Sequence, residues 1–231
     1  MSAEFKRGFP IEKVKSSREL YYYLLGLESF PKNPKELPLS FEIPSDALES
    51  LEDAIFMTKE TGEERGQFVY FVKNIGFVKP PIRYGDRESV EISAFSLKFL
   101  NRLVKPLIYY HTHPGPDITA LPSSDDVDLF SRFPRVGYIM LIATNEWITA
   151  MVQTENFEHA EHNLNETSRV LEIMGKIEHS DSPSTLPMMG ALLERIGLGL
   201  YFQDSGKLRG YRKGDLSGNL RLNKVRYIGQ E

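Results

Sequence analysis

The sequence places two histidines one residue apart in "YYHTHPGP", at His111 and His113. Side chains of a strand alternate in direction, so residues two apart can present both imidazoles to one point. Asp126 follows in "PSSDDVDLF", a stretch typical of a helix start. Two imidazoles and one carboxylate are typical ligands of catalytic zinc, whose fourth position stays open for water or substrate. The three residues therefore predict a zinc site.

Composition limits the chemistry that such a site can use. The chain has 231 residues and no cysteine, so a metal must be held by His, Asp or Glu. Zinc lowers the pKa of a bound water to about 7, which makes that water a nucleophile at neutral pH. Hydrolysis of an amide also needs a general base and a donor for the developing oxyanion. The Ser123 hydroxyl, shortly before Asp126, is a candidate for that donor.

The combined pattern H-T-H-P followed by P-S-x-x-D resembles the H-x-H…S-x-x-D signature of the JAMM (MPN+/JAB) metalloproteases. The order of elements from about Phe41 to Glu155 is also similar to the core of that family. The resemblance covers roughly half of the chain. It implies an α/β fold with a JAB/MPN-type, cytidine-deaminase-like core, in which helices flank a central mixed sheet.

Residue by residue, the resemblance implies Zn²⁺ held by His111, His113 and Asp126, with Ser123 beside the oxyanion. The loop from His113 to Ser123 is longer than the family's form leads us to expect. This difference leaves Asp125 as an alternative ligand. Asp126 is preferred because it keeps the family's spacing from Ser123.

The resemblance also implies a general-base glutamate upstream, just before an apolar strand. "KETGEERGQF" offers three candidates at that place. Glu64 keeps the spacing to the first strand residue best. Glu63 and Glu60 remain alternatives.

Periodicity and turn residues predict the elements that must position these side chains. Helices are predicted in "SSRELYYYLLGLESF", from Ser45 as N-cap, in "VEISAFSLKFLNRLVK", in "SSDDVDLFSRF", and in "NLNETSRVLEIMGKIE" and "MMGALLERIG". Strands are predicted in "GQFVYFVKN", "PLIYYHTH", "RVGYIMLIAT" and "EWITAMVQT", with a final hairpin in "LYFQDSGKLRGY" turning at residues 204–206. This order predicts a mixed α/β protein. We divide it into an N-terminal extension with a helix (1–39), a JAMM/JAB-like domain (40–155) and a C-terminal helical and hairpin extension (156–231).

The resemblance implies a zinc-dependent isopeptidase or peptidase that cleaves after the C-terminus of a ubiquitin-like protein. Such a deubiquitinase-like enzyme would work beside ubiquitin-like conjugation machinery. Two alternatives belong to other classes: a non-catalytic JAB-fold interaction module, and a RadC-like DNA-associated protein.

Charge and hydropathy bear on partners and location. The net charge is −4, although the segment from Gly206 onward is basic, so we expect no nucleic-acid partner. No apolar run has the length of a signal peptide or a membrane span, which predicts a cytoplasmic protein without a membrane partner. The other histidines, His159, His162 and His179, are expected on solvated surfaces.

Overall fold

The computed structural model describes residues 14–85, 106–114, 121–132, 137–144, 147–158, 164–177, 185–203 and 218–226. The strands are β1 (Ser40–Ile43), β2 (Arg65–Val72), β3 (Gly76–Val78), β4 (Arg83–Tyr84), β5 (Ile108–Thr112), β6 (Ile139–Ala143), β7 (Ile148–Gln153), β8 (Leu198–Gln203) and β9 (Leu220–Lys224). The helices are α1 (Ser17–Leu25), α2 (Ser45–Thr61), α3 (Ser124–Arg132), α4 (Glu155–Glu158), α5 (Leu164–Ile177) and α6 (Thr185–Arg195), with a short 3₁₀ turn at Pro34–Glu36.

The strands form one mixed sheet in the order β1-β9-β8-β7-β6-β5-β2-β3, and β4 also pairs with β2. β5 and β6 run parallel, and the other pairs are antiparallel. Parallel neighbours need a crossover connection, and α3 lies on that connection. The end of β5, where the histidines lie, is therefore followed directly by the helix that carries Asp126.

Apolar side chains cover both faces of the sheet. One cluster joins alternate strand residues to α1 and α2, and the other joins the opposite residues to α3, α5 and α6. Tyr109 and Met151 belong to the second cluster, which we call the α3 face. Helices on both faces of a mixed sheet confirm the predicted mixed α/β class and its flanked central sheet.

The sheet extends beyond the second of the boundaries that the sequence suggests, and α1, which precedes the first boundary, packs on the sheet. β8 pairs with β7, and β9 pairs with β1, so strands from the C-terminal segment extend the sheet that carries the histidines. Near the other boundary, Ser17 of α1 accepts a hydrogen bond of 3.2 Å from the backbone N–H of Phe71 in β2. The flanking segments are thus in direct contact with the central strands.

The start of α2 differs from the prediction. Ser45 is the first helical residue, Pro44 occupies the N-cap position, and no side chain caps the helix. The fixed φ of proline explains the difference: Pro44 holds an extended conformation and its carbonyl accepts a bond of 3.0 Å from the Ala47 N–H.

Two predicted features lie outside the described residues: the helix in "VEISAFSLKFLNRLVK" and the turn at 204–206. The described β8 pairs with β7 on one side and with β9 on the other. Within the described ranges, no helix combines the length and apolar character needed to cross a bilayer.

Candidate metal centre

His111 and His113 lie at the end of β5 as the alternation of a strand predicts. Their Nε2 atoms are 2.9 Å apart. His111 continues the α3 face, and its ring stacks on Tyr109 with centroids 5.6 Å apart. The His113 N–H donates to the Ala143 carbonyl at 2.8 Å, which extends the pairing with β6 past the last strand residue. Both rings are therefore fixed through the sheet rather than through a free loop.

Asp126 is held at the first turn of α3 by reciprocal bonds with Ser123. The Ser123 N–H and hydroxyl both donate to Asp126 Oδ2 at 2.7 Å, and the Asp126 N–H donates back to Ser123 Oγ at 3.1 Å. This is a capping box, which satisfies free N–H groups of the first helical turn. It leaves Oδ1 of Asp126 to face the histidines.

The three predicted ligands converge. Asp126 Oδ1 lies 2.8 Å from Nε2 of His111, whose Nε2 also faces that of His113. One ligand atom from each of the three residues can be chosen so that all lie within 4.8 Å of one another. One proton on His111 Nε2 cannot bridge both neighbours well, whereas a shared cation would satisfy all three lone-pair donors. The donor set therefore fits a divalent metal ion.

Attraction between its charged groups stabilises the ionic forms of this cluster against the opposing effect of burial. Burial by itself would lower the pKa of His111, but the Asp126 carboxylate, together with Glu64, outweighs it and raises that pKa above its usual value. Burial would likewise raise the pKa of Asp126, but His111 and then His113 hold it well below its usual range. Asp126 is thus ionised at neutral pH, the form in which a carboxylate binds metal.

One feature departs from common metal–histidine sites. The Nδ1 atom of His111 is buried, and it has no hydrogen-bond partner in the part of the chain that is described. Ligating histidines usually donate that second N–H to a carbonyl, a carboxylate or water. The orientation of His111 here comes from its stack on Tyr109 and its contact with Asp126.

Of the three candidate bases, Glu64 reaches the centre. Its carboxylate lies 3.8 Å from His113 Nε2, and its side chain is 12% exposed. The Glu63 side chain is 50% exposed and its carboxylate lies 3.9 Å from the Arg65 guanidinium. Glu60 is exposed on the last turn of α2. Glu64 is therefore the carboxylate that the fold brings beside the histidines.

The geometry also distinguishes between Asp125 and Asp126, the two alternative ligands at the start of α3. Asp125 is exposed, whereas Asp126 is buried against His111. The Ser123 hydroxyl, the predicted oxyanion donor, donates its hydrogen bond to Asp126. To serve a substrate it would have to rotate away from that carboxylate.

The sequence analysis did not single out Thr112, which joins the histidine strand to the Glu64 segment. Its Oγ1 accepts a bond of 3.0 Å from the Arg65 N–H and lies 2.5 Å from the hydroxyl of Thr58 in α2. Both threonines are buried. The sequence signal for this residue was a threonine between two histidines in an otherwise apolar strand. Its side chain faces away from the histidines into the core, where a hydroxyl needs a hydrogen-bond partner.

We expect Thr112→Val to lower the free energy of unfolding by about 2 kcal/mol, because it removes the buried hydroxyl that accepts from the Arg65 N–H and bonds the Thr58 hydroxyl. Urea unfolding followed by circular dichroism measures this. Thr112→Ser keeps the hydroxyl and should cost about 1 kcal/mol or less, the value of one methyl group. If Thr112→Val has the same urea midpoint of unfolding as the wild type, these hydrogen bonds do not contribute to stability.

The remaining histidine predictions concern His159, His162 and His179, which lie outside the described residues. No protein-family model matches this chain, and no curated protein matches it significantly. Function must therefore be inferred from the geometry of the site itself.

Proposed function

We propose that this protein is a zinc-dependent isopeptidase or peptidase of the JAMM type. In this proposal it cleaves after the C-terminus of a ubiquitin-like protein. The observation that carries the proposal is the convergence of His111, His113 and Asp126, with the Glu64 carboxylate beside them. A purely structural cluster has no need of a further buried carboxylate at that place.

Zinc is the metal that we propose, because the donors are two nitrogens and one oxygen. Three protein ligands leave a position for water or substrate, as in catalytic sites. When bound there, zinc would supply Lewis acidity, lowering the pKa of water and polarising a carbonyl.

Glu64 is the proposed general base. Its side chain is mostly buried yet partly open, and its carboxylate lies 3.8 Å from His113 Nε2. Two hydrogen bonds fix the segment: the Gly85 N–H donates to the Glu64 carbonyl, and the Arg65 N–H donates to the side-chain Oγ1 of Thr112, both at 3.0 Å. A carboxylate held so close to the metal ligands can accept a proton from the attacking water and deliver it to the leaving amine.

Ser123 has two proposed tasks. Its backbone N–H keeps Asp126 Oδ2 occupied at 2.7 Å, so the hydroxyl can turn towards a substrate without releasing the carboxylate. A hydroxyl that turns in this way would donate to the developing oxyanion.

The ubiquitin-like substrate and the conjugation machinery beside it come from the resemblance of the motifs. The order of elements supports the JAMM type itself, since α2 connects β1 to β2 and α3 connects β5 to β6, in the order that the resemblance implies. One observation favours a second candidate, a non-catalytic JAB-fold interaction module: the Ser123–Asp126 capping box would stabilise α3 even without catalysis.

Cleavage of ubiquitin-like fusions tests the proposal. The zinc-loaded protein would be incubated with linear and isopeptide-linked fusions, and the masses of the products would be measured by mass spectrometry. We expect cleavage after the ubiquitin-like C-terminus, loss of activity with a chelator and recovery with zinc. Zinc binding without cleavage of any fusion would instead support the interaction module.

A further inference from the structure

A cavity of about 340 Å³ lies between α6 and the ends of β7, β8 and β9. Its size is at the small end of natural ligand sites, which suits one side chain and adjoining backbone rather than a folded partner. Trp147 and Phe202 form its aromatic wall, with ring centroids 4.9 Å apart, and Leu186 adds an apolar surface.

The cavity has a neutral lining despite the lysine that borders it. The Lys224 ammonium is buried, lies 3.1 Å from the Glu194 carboxylate and donates to the Pro34 carbonyl at 2.6 Å. Because its charge is already matched inside the protein, it is a poor anchor for a ligand carboxylate or phosphate. The cavity therefore favours a neutral, apolar ligand.

Gln203 places a polar side chain beside the apolar cavity. This residue lines the cavity, and its side-chain oxygen is buried without a hydrogen-bond partner within the described residues. A buried acceptor left unpaired costs free energy, which a ligand N–H would recover if the Gln203 amide rotated towards the cavity. Asn223 lines the same cavity and adds an amide that can both donate and accept. Amides around an apolar pocket match a peptide, which brings a side chain together with its own N–H and C=O.

The cavity and the metal centre lie at the same end of the sheet. The paired residues show this: Thr112 pairs with Ala143 and Ala143 with Ile148, while the adjacent Thr149 pairs with Phe202 and Phe202 with Asn223. Thr112 separates the two histidines, and Phe202 lies in the cavity wall.

The cavity and the metal centre also lie on the same face. Trp147 and Phe202 continue the alternation of Met151 and Leu200, and His111 continues that of Tyr109, all on the α3 face.

We propose that this cavity binds an aliphatic or aromatic side chain of the peptide whose bond is cleaved at the metal centre. The inference rests on the proposed function and names a feature of its substrate. From β5 to β8 is three strand spacings, or about 14 Å. An extended peptide covers that distance in about four residues. The site thus selects an apolar residue about four positions from the cleaved bond.

The first experiment tests the cavity without metal or activity. Trp147 is the only tryptophan of the chain, so intrinsic fluorescence reports on this cavity alone. We expect N-acetyl-leucinamide to change the emission saturably, and N-acetyl-glycinamide and N-acetyl-aspartamide to bind at least about tenfold more weakly, because neither offers an apolar side chain. An equal response to all three amides, or no saturation with leucinamide, overturns the proposal.

Two variants locate the binding. Phe202→Ala removes part of the aromatic wall but keeps the reporter, and should weaken leucinamide binding about tenfold. Met188→Ala is the matched control, because Met188 is exposed on the same helix as Leu186 and does not line the cavity. It should bind leucinamide as the wild type does. The comparison of the three amides on the wild type stands even if Phe202→Ala fails to fold.

The second experiment separates this inference from the proposed function. Peptides with one leucine, a variable number of glycines and a terminal hydroxamate would be titrated into the zinc-loaded protein. A spacing of about four residues should bind 10- to 100-fold more tightly than shorter or longer spacings, because both ends then engage together. Absence of zinc-dependent binding by acetohydroxamate would refute the metal site alone. Binding of both separate probes without an optimum spacing would refute the proposed path between them.

Discussion

Asp126→Asn should weaken zinc binding more than about 100-fold, because loss of a direct ligand must exceed the 10- to 100-fold cost of losing a supporting contact. The neutral amide keeps the shape of Asp126 but removes the charge that faces His111 at 2.8 Å. We expect one zinc per wild-type chain by elemental analysis and almost none in the variant. Competition with a chelator of known affinity gives the change in Kd.

Asp125→Asn is the matched control for that measurement. Asp125 is the neighbouring residue of the same helix and is exposed, so its amide should leave zinc content unchanged. Zinc should also stabilise the wild type by about 4 kcal/mol at a thousandfold excess over Kd, and should not stabilise Asp126→Asn comparably. Equal zinc content in both variants would show that Asp126 is no ligand. A folded wild type that takes up no zinc would remove the basis of the protease proposal.

Glu64→Gln should lower kcat/KM for a ubiquitin-like fusion by about 10²- to 10⁴-fold, the usual contribution of a general base. Zinc content should stay at the wild-type level, because Glu64 lies 3.8 Å from His113 rather than among the three converging donors. Activity and elemental analysis on the same preparations separate a lost base from a lost metal.

Glu63→Gln controls for the change of charge one residue away. Its side chain is half exposed and turned to Arg65, so the variant should cleave at close to the wild-type rate. Full activity in Glu64→Gln would refute the assignment of the base. Loss of activity in Glu63→Gln alone would move the base to Glu63 and show that this segment rearranges on substrate binding.

The convergence of the candidate ligands was largely predictable from the sequence because its determinants are local. His111 and His113 are two residues apart on a strand, and that spacing alone places both rings on one face. Ser123 and Asp126 have the spacing of a capping box, which forms within one helical turn. The mixed α/β class followed from periodicity, since most predicted helices and strands that lie in the described residues occur close to their predicted positions.

The choice among three glutamates depended on the path of the backbone after α2. Gly62 ends that helix in the left-handed region, at φ 71°, and turns the chain sharply. Glu60 then stays on the exposed end of α2, while Glu63 and Glu64 precede a strand that pairs with the histidine strand. Spacing along the sequence ranked the candidates, but only this turn separates their side chains.

The sequence by itself thus determined the types of the candidate ligands, their local spacing and the class of fold, because each depends on a few neighbouring residues. Only the tertiary structure decided which carboxylate reaches the histidines, how Thr112 links two segments, and how β8 and β9 join the sheet of the metal centre. Strand pairing and buried hydrogen bonds join residues far apart in the chain, so their partners cannot be identified from local pattern.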